Sequence, residues 1–178
     1  MNFSFDSVKD FDKHINTSVP GYADLSNYIV SILGYFLNES TVVDIGCSTG
    51  KLLSDLSEKY PDNKYIGIDK SNNLLSQAQN KENVKLLPLD ILTDELPQAD
   101  IYTSIFTIQF LPINRRQDIL RKIYEKLPLG NCFIISEKIY IDSGRIQDIF
   151  HFSHYDYKER YFSVDEIYNK QKDLLKIS

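Results

Sequence analysis

The sequence has few cysteines and no long hydrophobic run. Cys47 and Cys132 are its two cysteines, too few for a disulfide framework or a cysteine-held metal cluster. Met1 to Asp12 contain no basic region followed by an apolar block, which is the pattern of a secretory signal. No apolar run approaches the roughly 20 residues that a membrane-spanning helix needs. These absences predict a cytoplasmic protein with no membrane segment and no metal site.

Basic residues are in the minority. The chain has 20 Lys and Arg against 25 Asp and Glu, a net charge of −5, which does not favour attraction to a nucleic-acid backbone. The basic residues from Arg115 to Lys122 have the spacing of a solvated helix face. We therefore expect no direct nucleic-acid binding, and a small molecule as the substrate.

Apolar periodicity predicts an alternation of helices and strands. A first helix is expected from Leu25 with Asp24 as its cap, and Ser71 and Ser163 are expected to cap later helices. Arg145 to Tyr161 is interpreted as a less regular, aromatic-rich segment. Five short β-rich segments are the expected strands: Thr41 to Ile45, Lys64 to Ile68, Val84 to Leu87, Ile101 to Phe106 and Asn131 to Ser136.

Strands separated by helices indicate right-handed crossovers and a parallel sheet covered on both faces, the doubly wound α/β class. One domain should span residues 1–178. Within it we expect a helical cap over 1–40, a core over 41–137, and an irregular and helical segment over 138–178.

The turn after the first strand is where such a sheet binds its ligand. It runs from Asp44 through Gly46, Cys47 and Ser48 to Gly50. A phosphate-binding P-loop needs four residues between its glycines and a hydroxyl residue after the lysine, and this turn has neither. A dinucleotide turn needs a glycine where Ser48 stands. The turn therefore favours a nucleoside without phosphates.

Acidic residues follow the next two strands. Asp69 comes 23 residues after Gly46, close to the spacing of about 20 residues at which a carboxylate binds a ribose. Asp90 follows the third strand and is placed to meet an adenine edge. S-adenosylmethionine fits these features, and an empty doubly wound scaffold is the alternative.

Several segments resemble the carboxy-S-adenosyl-L-methionine synthase family, within the class I methyltransferase superfamily, and they occur in the same order. The resemblance implies a Rossmann-like fold and an enzyme that captures a prephenate-derived carboxyl group on S-adenosylmethionine, giving carboxy-S-adenosylmethionine for tRNA wobble uridine modification. The segments are Phe11-Asp12-Lys13, Ser18-Val19-Pro20-Gly21-Tyr22, Asp44-Ile45-Gly46-Cys47-Ser48, Phe106-Thr107-Ile108-Gln109-Phe110-Leu111, Lys122-Ile123-Tyr124, Ser136-Glu137-Lys138 and Tyr155 to Lys158.

The resemblance also implies site residues. Ile105 stands where the family has a polar residue, and Gln171 stands where it has an arginine for the cofactor carboxylate. An amide lacks the charge and the paired donors of an arginine, so Lys170 or Lys172 would have to substitute. With Asp44 and Gly50 of the glycine turn, the positions implied to line the cofactor site are Tyr22, Gly46, Cys47, Ser48, Asp69, Lys70, Asp90, Ile91 and Ile105.

The family continues into a strand hairpin that nothing after Ser163 is expected to supply. The expected fold is thus a class I methyltransferase sheet lacking that hairpin, with an exposed edge at Cys132 to Ser136 that a homodimer would cover. An ordinary methyltransferase on a small acceptor and a non-catalytic binding module remain alternatives.

Two histidines lie near the C-terminal end of the chain. His151 and His154, with Asp156, would share a helix face and could hold a metal or a proton, but surface or pocket aromatics are the preferred interpretation. His154 and Tyr155 are candidates for contact with a substrate. Cys47 is interpreted as a small turn residue rather than a nucleophile, since no histidine adjoins it in sequence.

Overall fold

A computed structural model describes residue 5 and residues 8–175 of the chain. Its sheet has five strands, all parallel, in the order β3-β2-β1-β4-β5. The strands are β1 (Thr41–Ile45), β2 (Lys64–Ile68), β3 (Val84–Leu87), β4 (Ile101–Ile105) and β5 (Phe133–Ser136).

Seven α-helices surround this sheet in the described part of the chain. A short 3-10 helix, Ile108–Phe110, follows β4. The α-helices are α1 (Phe11–Ser18), α2 (Tyr22–Leu33), α3 (Lys51–Lys59), α4 (Asn72–Leu75), α5 (Ile113–Lys126), α6 (Gly144–Lys158) and α7 (Val164–Leu174).

The winding direction reverses at β1. The chain moves outward from β1 through β2 to β3, and then returns to β4 on the other side of β1. In parallel sheets this reversal opens a crevice at the carboxyl ends of the central strands. The turns after Ile45, Ile68 and Ile105 therefore meet at one edge.

Each face of the sheet has its own hydrophobic core. Val43 and Tyr102 pack on one face with Ile119 and Ile123 of α5. Alternate residues point to the other face, where helices α2 and α3 pack against Val42. This alternation follows from the two-residue period of a strand and leaves the sheet covered on both sides.

The predicted doubly wound class is confirmed, and all five predicted strands are present with small changes at their ends. β4 ends at Ile105 because Phe106 takes a left-handed φ of 54°. β5 begins at Phe133, two residues later than predicted.

Two expectations about helices are wrong. Asp24 does not cap α2, because Gly21 is the cap and Asp24 lies in the first turn. Arg145 to Tyr161 is not irregular, because α6 occupies most of it. Ser71 and Ser163 do cap helices, and Ser163 forms a capping box with Glu166.

Helix α6 has its apolar side chains on the outer face. Ile149, Phe150 and Phe152 are each more than half exposed, and none of the α6 residues is buried. The side facing the rest of the molecule carries His154 and Lys158, which are partly covered. A helix pattern turned outward in this way is not recognised as core-facing by sequence periodicity. None of the helices in the described ranges is both long and apolar enough to span a membrane.

Candidate functional site

The turn after β1 is built from left-handed residues. Gly46, Ser48 and Gly50 have φ values of 74°, 55° and 70°. This conformation suits glycine and is uncommon for serine. The amides of Gly46 and Cys47 both donate to the carbonyl of Ile68, at 2.8 and 3.1 Å, so the turn is fixed to the end of β2.

Asp69 holds two neighbouring turns together. Its Oδ2 accepts a hydrogen bond from the amide of Ser48 at 3.0 Å, and its Oδ1 accepts one from the amide of Ser71 at 2.9 Å. A carboxylate oxygen can accept more than one hydrogen bond, so both oxygens can also receive ligand hydroxyls. Asp69, which was predicted to lie beside the glycine turn, therefore contacts it.

Asp44 lies one residue before the end of β1, and it is buried. Its Oδ1 accepts the hydroxyl of Thr103 from β4 at 2.7 Å. Burial raises the pKa of Asp44 to about 6, the hydrogen bond from Thr103 acts in the opposite direction, and the charge of Asp69 adds to the rise. Asp44 and Asp69 therefore lie at the carboxyl ends of the neighbouring strands β1 and β2.

Ser48 and Cys47 turn their side chains in different directions. The Ser48 hydroxyl is buried and has no hydrogen-bond partner among the described residues, an arrangement that a ligand atom would complete. The Cys47 sulfur packs in the core, where a Cβ on Gly67 would lie 2.5 Å from it. Burial raises the pKa of the Cys47 thiol, so this thiol is not a nucleophile, and Cys47 can offer a ligand its backbone.

The turn after β4 presses against the turn after β1. A Cβ built on Gly46 would lie 2.1 Å from the Oγ1 of Thr107, so only glycine fits there. Phe106, in its left-handed conformation, brings its ring to 6.2 Å from the ring of Tyr22. The predicted cofactor residue Ile105 is partly buried just before this turn.

Glu137 fixes the turn after β4. Its Oε1 accepts the amides of Thr107 and Ile108 at 3.2 and 2.8 Å, and its Oε2 accepts the amide of Gln109 at 3.2 Å. Arg116 donates to the carbonyls of Leu111 and Gln109. Burial raises the pKa of Glu137, while the three amides and Arg116 oppose that rise.

The remaining predicted positions lie in the core, at the surface and at the start of α3. Asp90 is partly buried and its Oδ1 accepts the amide of Leu92 at 2.9 Å, which shapes the turn after β3. Ile91 is buried in the core, so a ligand would meet its backbone. Lys70 is exposed, and Gly50 packs its backbone against Leu86 at the start of α3.

The N-terminal helices close over the glycine turn. Asp12 of α1 accepts the hydroxyl of Thr49 at 2.6 Å. Tyr22 begins α2 and is partly buried. Burial raises the pKa of Tyr22 to about 12, and the charges of Asp44, Asp12 and Asp55 add to it.

The two histidines of α6 have separate surroundings. His154 is within 2.8 Å of the carbonyl of Ser18 through its Nε2, and burial lowers its pKa. The rings of His151 and Tyr155 pack with centroids 4.7 Å apart and planes tilted by 42°, and Asp156 is exposed. Across residues 5 and 8–175, no three His, Cys, Asp or Glu side chains converge as metal ligands.

Helix α7 brings a lysine rather than an amide toward α1. Gln171 is partly buried on this helix. The adjacent Lys170 donates from its Nζ to His14 Nε2 at 2.5 Å and to Ser18 Oγ at 3.2 Å. Burial lowers the pKa of Lys170 to about 8.

Sequence reasoning missed several residues that shape this site, among them Asp12, Thr49 and Glu137. Each lies within or beside a segment that carried the family resemblance, but their contacts join distant parts of the chain. The bond between Asp12 and Thr49 spans 37 residues, so no local spacing indicates it. The acidic residue Glu137 in the segment Ser136-Glu137-Lys138 was the sequence signal for the hydrogen bonds that fix the turn after β4.

Comparison with known proteins agrees with the fold. Residues 42–130 match a family model described as a methyltransferase domain. The N-methyltransferase NodS from Bradyrhizobium japonicum, solved with S-adenosyl-L-homocysteine, has a similar structure, with a TM-score of 0.61, 13% identity, and 73% of this chain and 67% of that chain covered. The parallel sheet and its neighbours define a class I methyltransferase fold.

Two relatives identify the family within this class of fold. The carboxy-S-adenosyl-L-methionine synthase of Staphylococcus epidermidis is 31% identical over 94% of this chain and 76% of its own length. That of Nautilia profundicola is 32% identical over 97% of this chain and 77% of its own length. This chain belongs to the carboxy-S-adenosyl-L-methionine synthase family.

Proposed function

We propose that this protein binds S-adenosylmethionine in the crevice beside Gly46 and converts it to carboxy-S-adenosylmethionine. The observation that carries the proposal is the convergence of Asp69 with the glycine turn, where the Ser48 amide is 3.0 Å from the Asp69 carboxylate. The buried Ser48 hydroxyl, which has no partner in the described residues, adds a polar group that a nucleoside would satisfy.

The proposed contacts follow from the positions of these residues at the carboxyl ends of the strands. Asp69 would accept the ribose hydroxyls, and Asp90 the exocyclic amine of adenine. Gly46, Cys47 and Ile91 would offer backbone atoms, because the side chains of Cys47 and Ile91 are in the core. Tyr22 would cover the ligand. Asp44, Ser48, Gly50, Lys70 and Ile105 complete the proposed lining.

Catalysis would come chiefly from positioning. When bound, the cofactor would supply a methyl carbon that loses a proton and bonds to the carbon dioxide lost from prephenate, while the prephenate hydroxyl leaves as water with that proton and phenylpyruvate remains. The chain's own residues would hold that carbon beside the carboxyl donor, which removes the entropy of bringing two molecules together. Tyr22 and Phe106, whose rings are 6.2 Å apart, would exclude water from above. His154, Tyr155 and Gln171 are proposed to lie on the side of the second substrate.

The test is a direct search for the product. Purified protein is incubated with S-adenosylmethionine and prephenate, and mass spectrometry should find a cofactor heavier by one carbon dioxide. Asp69→Asn should weaken cofactor binding about tenfold or more, because a charge-assisted acceptor is lost. The matched control Asp62→Asn, at an exposed turn, should leave binding unchanged. Binding without any carboxylated product would reject the synthase activity and leave a methyltransferase or a binding module.

We propose further that the protein is a homodimer. β5 lies at one edge of the sheet, and an unpaired edge invites a partner. Exposed apolar side chains occur on β5, on the segment after it and on the outer face of α6, and exposed apolar surface can mark an interface. They are Ile135, Ile139, Tyr140, Ile146, Ile149, Phe150 and Phe152.

The dimer has its own test. Phe150→Glu and Phe152→Glu place charges on this surface and should shift the mass measured by sedimentation from dimer to monomer. The control is Tyr35→Glu, because Tyr35 is 90% exposed and lies after α2, outside this set of residues. A wild-type protein that sediments as a monomer at every concentration contradicts the proposal.

The cellular setting is also proposed. Both cysteines are free thiols, which suits a reducing compartment, and we propose that the protein works in the cytoplasm as one cofactor-binding domain. Its product would serve in tRNA wobble uridine modification, with the nucleic acid bound by a later enzyme.

A further inference from the structure

Helix α1 contacts the glycine turn through Asp12. This residue lies in the first turn of the helix, and its Oδ1 accepts the hydroxyl of Thr49 at 2.6 Å. Thr49 is buried, with 7% of its surface exposed, and Asp12 is partly buried. A hydrogen bond to a carboxylate is stronger than one between neutral groups. The contact therefore ties the side chain of Thr49 to a helix that precedes the sheet.

Thr49 stands between two residues in the left-handed conformation. Ser48 has a φ of 55° and Gly50 has a φ of 70°. The amide of Gly50 donates to the carbonyl of Cys47 at 2.8 Å, which closes a tight turn around Ser48 and Thr49. Glycine adopts the left-handed conformation readily, whereas serine is strained in it. Contacts around Ser48 must therefore hold it in place.

Two carboxylates hold consecutive residues of this turn. The amide of Ser48 donates to Asp69 Oδ2 at 3.0 Å. The next residue, Thr49, is held by Asp12 through its side chain. If the bond to Asp12 were lost, Ser48 could relax toward an ordinary conformation, and its amide would then turn away from Asp69. The distant contact from α1 thus supports the contact at the end of β2.

The C-terminal half of α1 is fixed by the last two helices. His154 Nε2 of α6 is 2.8 Å from the carbonyl of Ser18. Lys170 of α7 donates to His14 Nε2 at 2.5 Å. Because the hydrogen bonds within a helix make it a rigid element, these contacts also restrict the position of Asp12. The carboxylate is therefore in place before a ligand binds.

We propose that Asp12 is a positioning residue for the cofactor site, which acts through Thr49 to hold Ser48 in its left-handed conformation. The inference rests on the proposed function for the identity of the ligand. The ligand that depends on this geometry is a nucleoside with its ribose on Asp69, because the Ser48 amide and the ribose hydroxyls share that carboxylate.

The first test measures the turn without a ligand. Amide hydrogen exchange of Ser48, followed by NMR, reports how often its bond to Asp69 opens. Asp12→Ala and Thr49→Val should each raise this exchange rate about tenfold, while that of Val43 in β1 should not change. Thr49→Ser keeps the hydroxyl and should exchange like the wild type. Exchange of Ser48 that is unchanged in both Asp12→Ala and Thr49→Val overturns the inference.

The second test is calorimetric titration with S-adenosyl-L-homocysteine. Asp12→Ala and Thr49→Val should each weaken binding about tenfold. The double variant should bind no more weakly than the weaker single variant, because both changes remove the same bond. Ser57→Ala is the matched control, since it removes the hydrogen bond from Ser57 to Asn83 near the C-terminal end of α3. It should lower stability and leave binding unchanged.

A substitution at Ser48 separates positioning from a general loss of stability. In Ser48→Gly the left-handed conformation carries no strain. Asp12→Ala added to Ser48→Gly should therefore weaken binding less than about threefold relative to Ser48→Gly alone. An equal loss in the two backgrounds marks the bond between Asp12 and Thr49 as merely structural and contradicts the inference.

The outcomes also separate this inference from the proposed function. Faster exchange at Ser48 in Asp12→Ala and Thr49→Val, in a protein that binds neither S-adenosylmethionine nor S-adenosyl-L-homocysteine, supports the role of Asp12 and rejects the proposed cofactor site. Carboxylated cofactor made by the wild type, with both variants binding S-adenosyl-L-homocysteine as the wild type does, overturns the inference alone.

Discussion

Gly46 combines two demands in one residue. Its φ of 74° is left-handed, and a Cβ there would lie 2.1 Å from Thr107 Oγ1. The first demand costs a non-glycine residue about 1 kcal/mol, and the second requires the β4 turn to move. We expect cofactor binding to depend on this contact, because the same two turns are proposed to line the cofactor crevice.

Replacing Gly46 with alanine tests whether the contact with Thr107 adds to the strain of the left-handed backbone. We expect Gly46→Ala to lower the free energy of unfolding by roughly 2–4 kcal/mol and to abolish S-adenosylmethionine binding, because overpacking adds to backbone strain. Gly130→Ala is the control, since Gly130 has a φ of 90° with no atom near its Cβ position. The measurement is urea denaturation of both variants. Equal losses in the two variants would show that the contact with Thr107 does not matter.

Asp44 makes stability depend on pH in the direction opposite to most acids. Its folded pKa is about 6 against an ordinary value of 3.8, so the folded protein retains this proton more strongly than the unfolded chain. The stabilising contribution is full below about pH 4 and is lost as the pH rises through about 6.

The variant Asp44→Asn should remove this dependence. Relative to wild type, its free energy of unfolding should rise by roughly 2–3 kcal/mol between pH 4 and pH 7, because the amide has no charge to desolvate. Denaturation curves at the two pH values measure the difference. A difference between variant and wild type that stays constant with pH would contradict the assigned pKa of Asp44.

The turn after β4 is fixed by a side chain that lies outside the turn. Its three successive amides donate to one carboxylate, that of Glu137 beyond β5. Because this turn also contains Phe106 and Thr107, Glu137 positions the wall of the crevice that faces Gly46. Glu137 is a positioning residue in this account, since it is proposed to act through the turn.

Glu137→Gln keeps the shape and removes the charge. We expect the free energy of unfolding to fall by about 1–3 kcal/mol, because an amide nitrogen replaces one acceptor of the buried amides. Cofactor affinity should fall with it, while Glu137→Asp should bind at an intermediate level. Glu125→Gln, on the exposed side of α5, is the control. Calorimetry showing wild-type affinity in Glu137→Gln would contradict the positioning role.

Sequence pattern predicted the sheet better than the helices around it. The strands have apolar residues on both faces, as in β1 with Val42 and Val43 in different cores, so their runs are unmistakable. Helix α6 lacks a core-facing apolar stripe and was interpreted as irregular. The Asp69 contact followed from topology, because carboxyl ends of parallel strands share an edge. The contacts of Glu137 with the turn after β4 and of Lys170 with His14 join side chains far apart in sequence, and spacing cannot indicate them.

At the scale of the whole molecule, helices from the two ends of the described chain meet. α1 and α2 precede the sheet, α6 and α7 follow it, and Lys170 reaches His14 across 156 positions. The position of α1, which also contacts the glycine turn through Asp12, therefore depends on the packing of α7.

A substitution at Gln171 can test whether the site prefers the carboxylated or the plain cofactor. We expect Gln171→Arg to raise the affinity for carboxy-S-adenosylmethionine relative to S-adenosylmethionine, because a guanidinium adds a charge and paired donors for the carboxylate. Lys172→Arg adds no new charge on the same helix and is the control. Calorimetry with both ligands gives the ratio, and a ratio equal to that of wild type would discard this role for position 171.

The central claim is that Asp69 and the glycine turn together bind an adenosine that carries no phosphate. A crystal structure of the protein with S-adenosyl-L-homocysteine tests it most directly. The account predicts the ribose hydroxyls on the Asp69 carboxylate and the nucleoside against Gly46 and Ser48. A ligand bound elsewhere, or an Asp69 side chain turned away from the ribose, would contradict it.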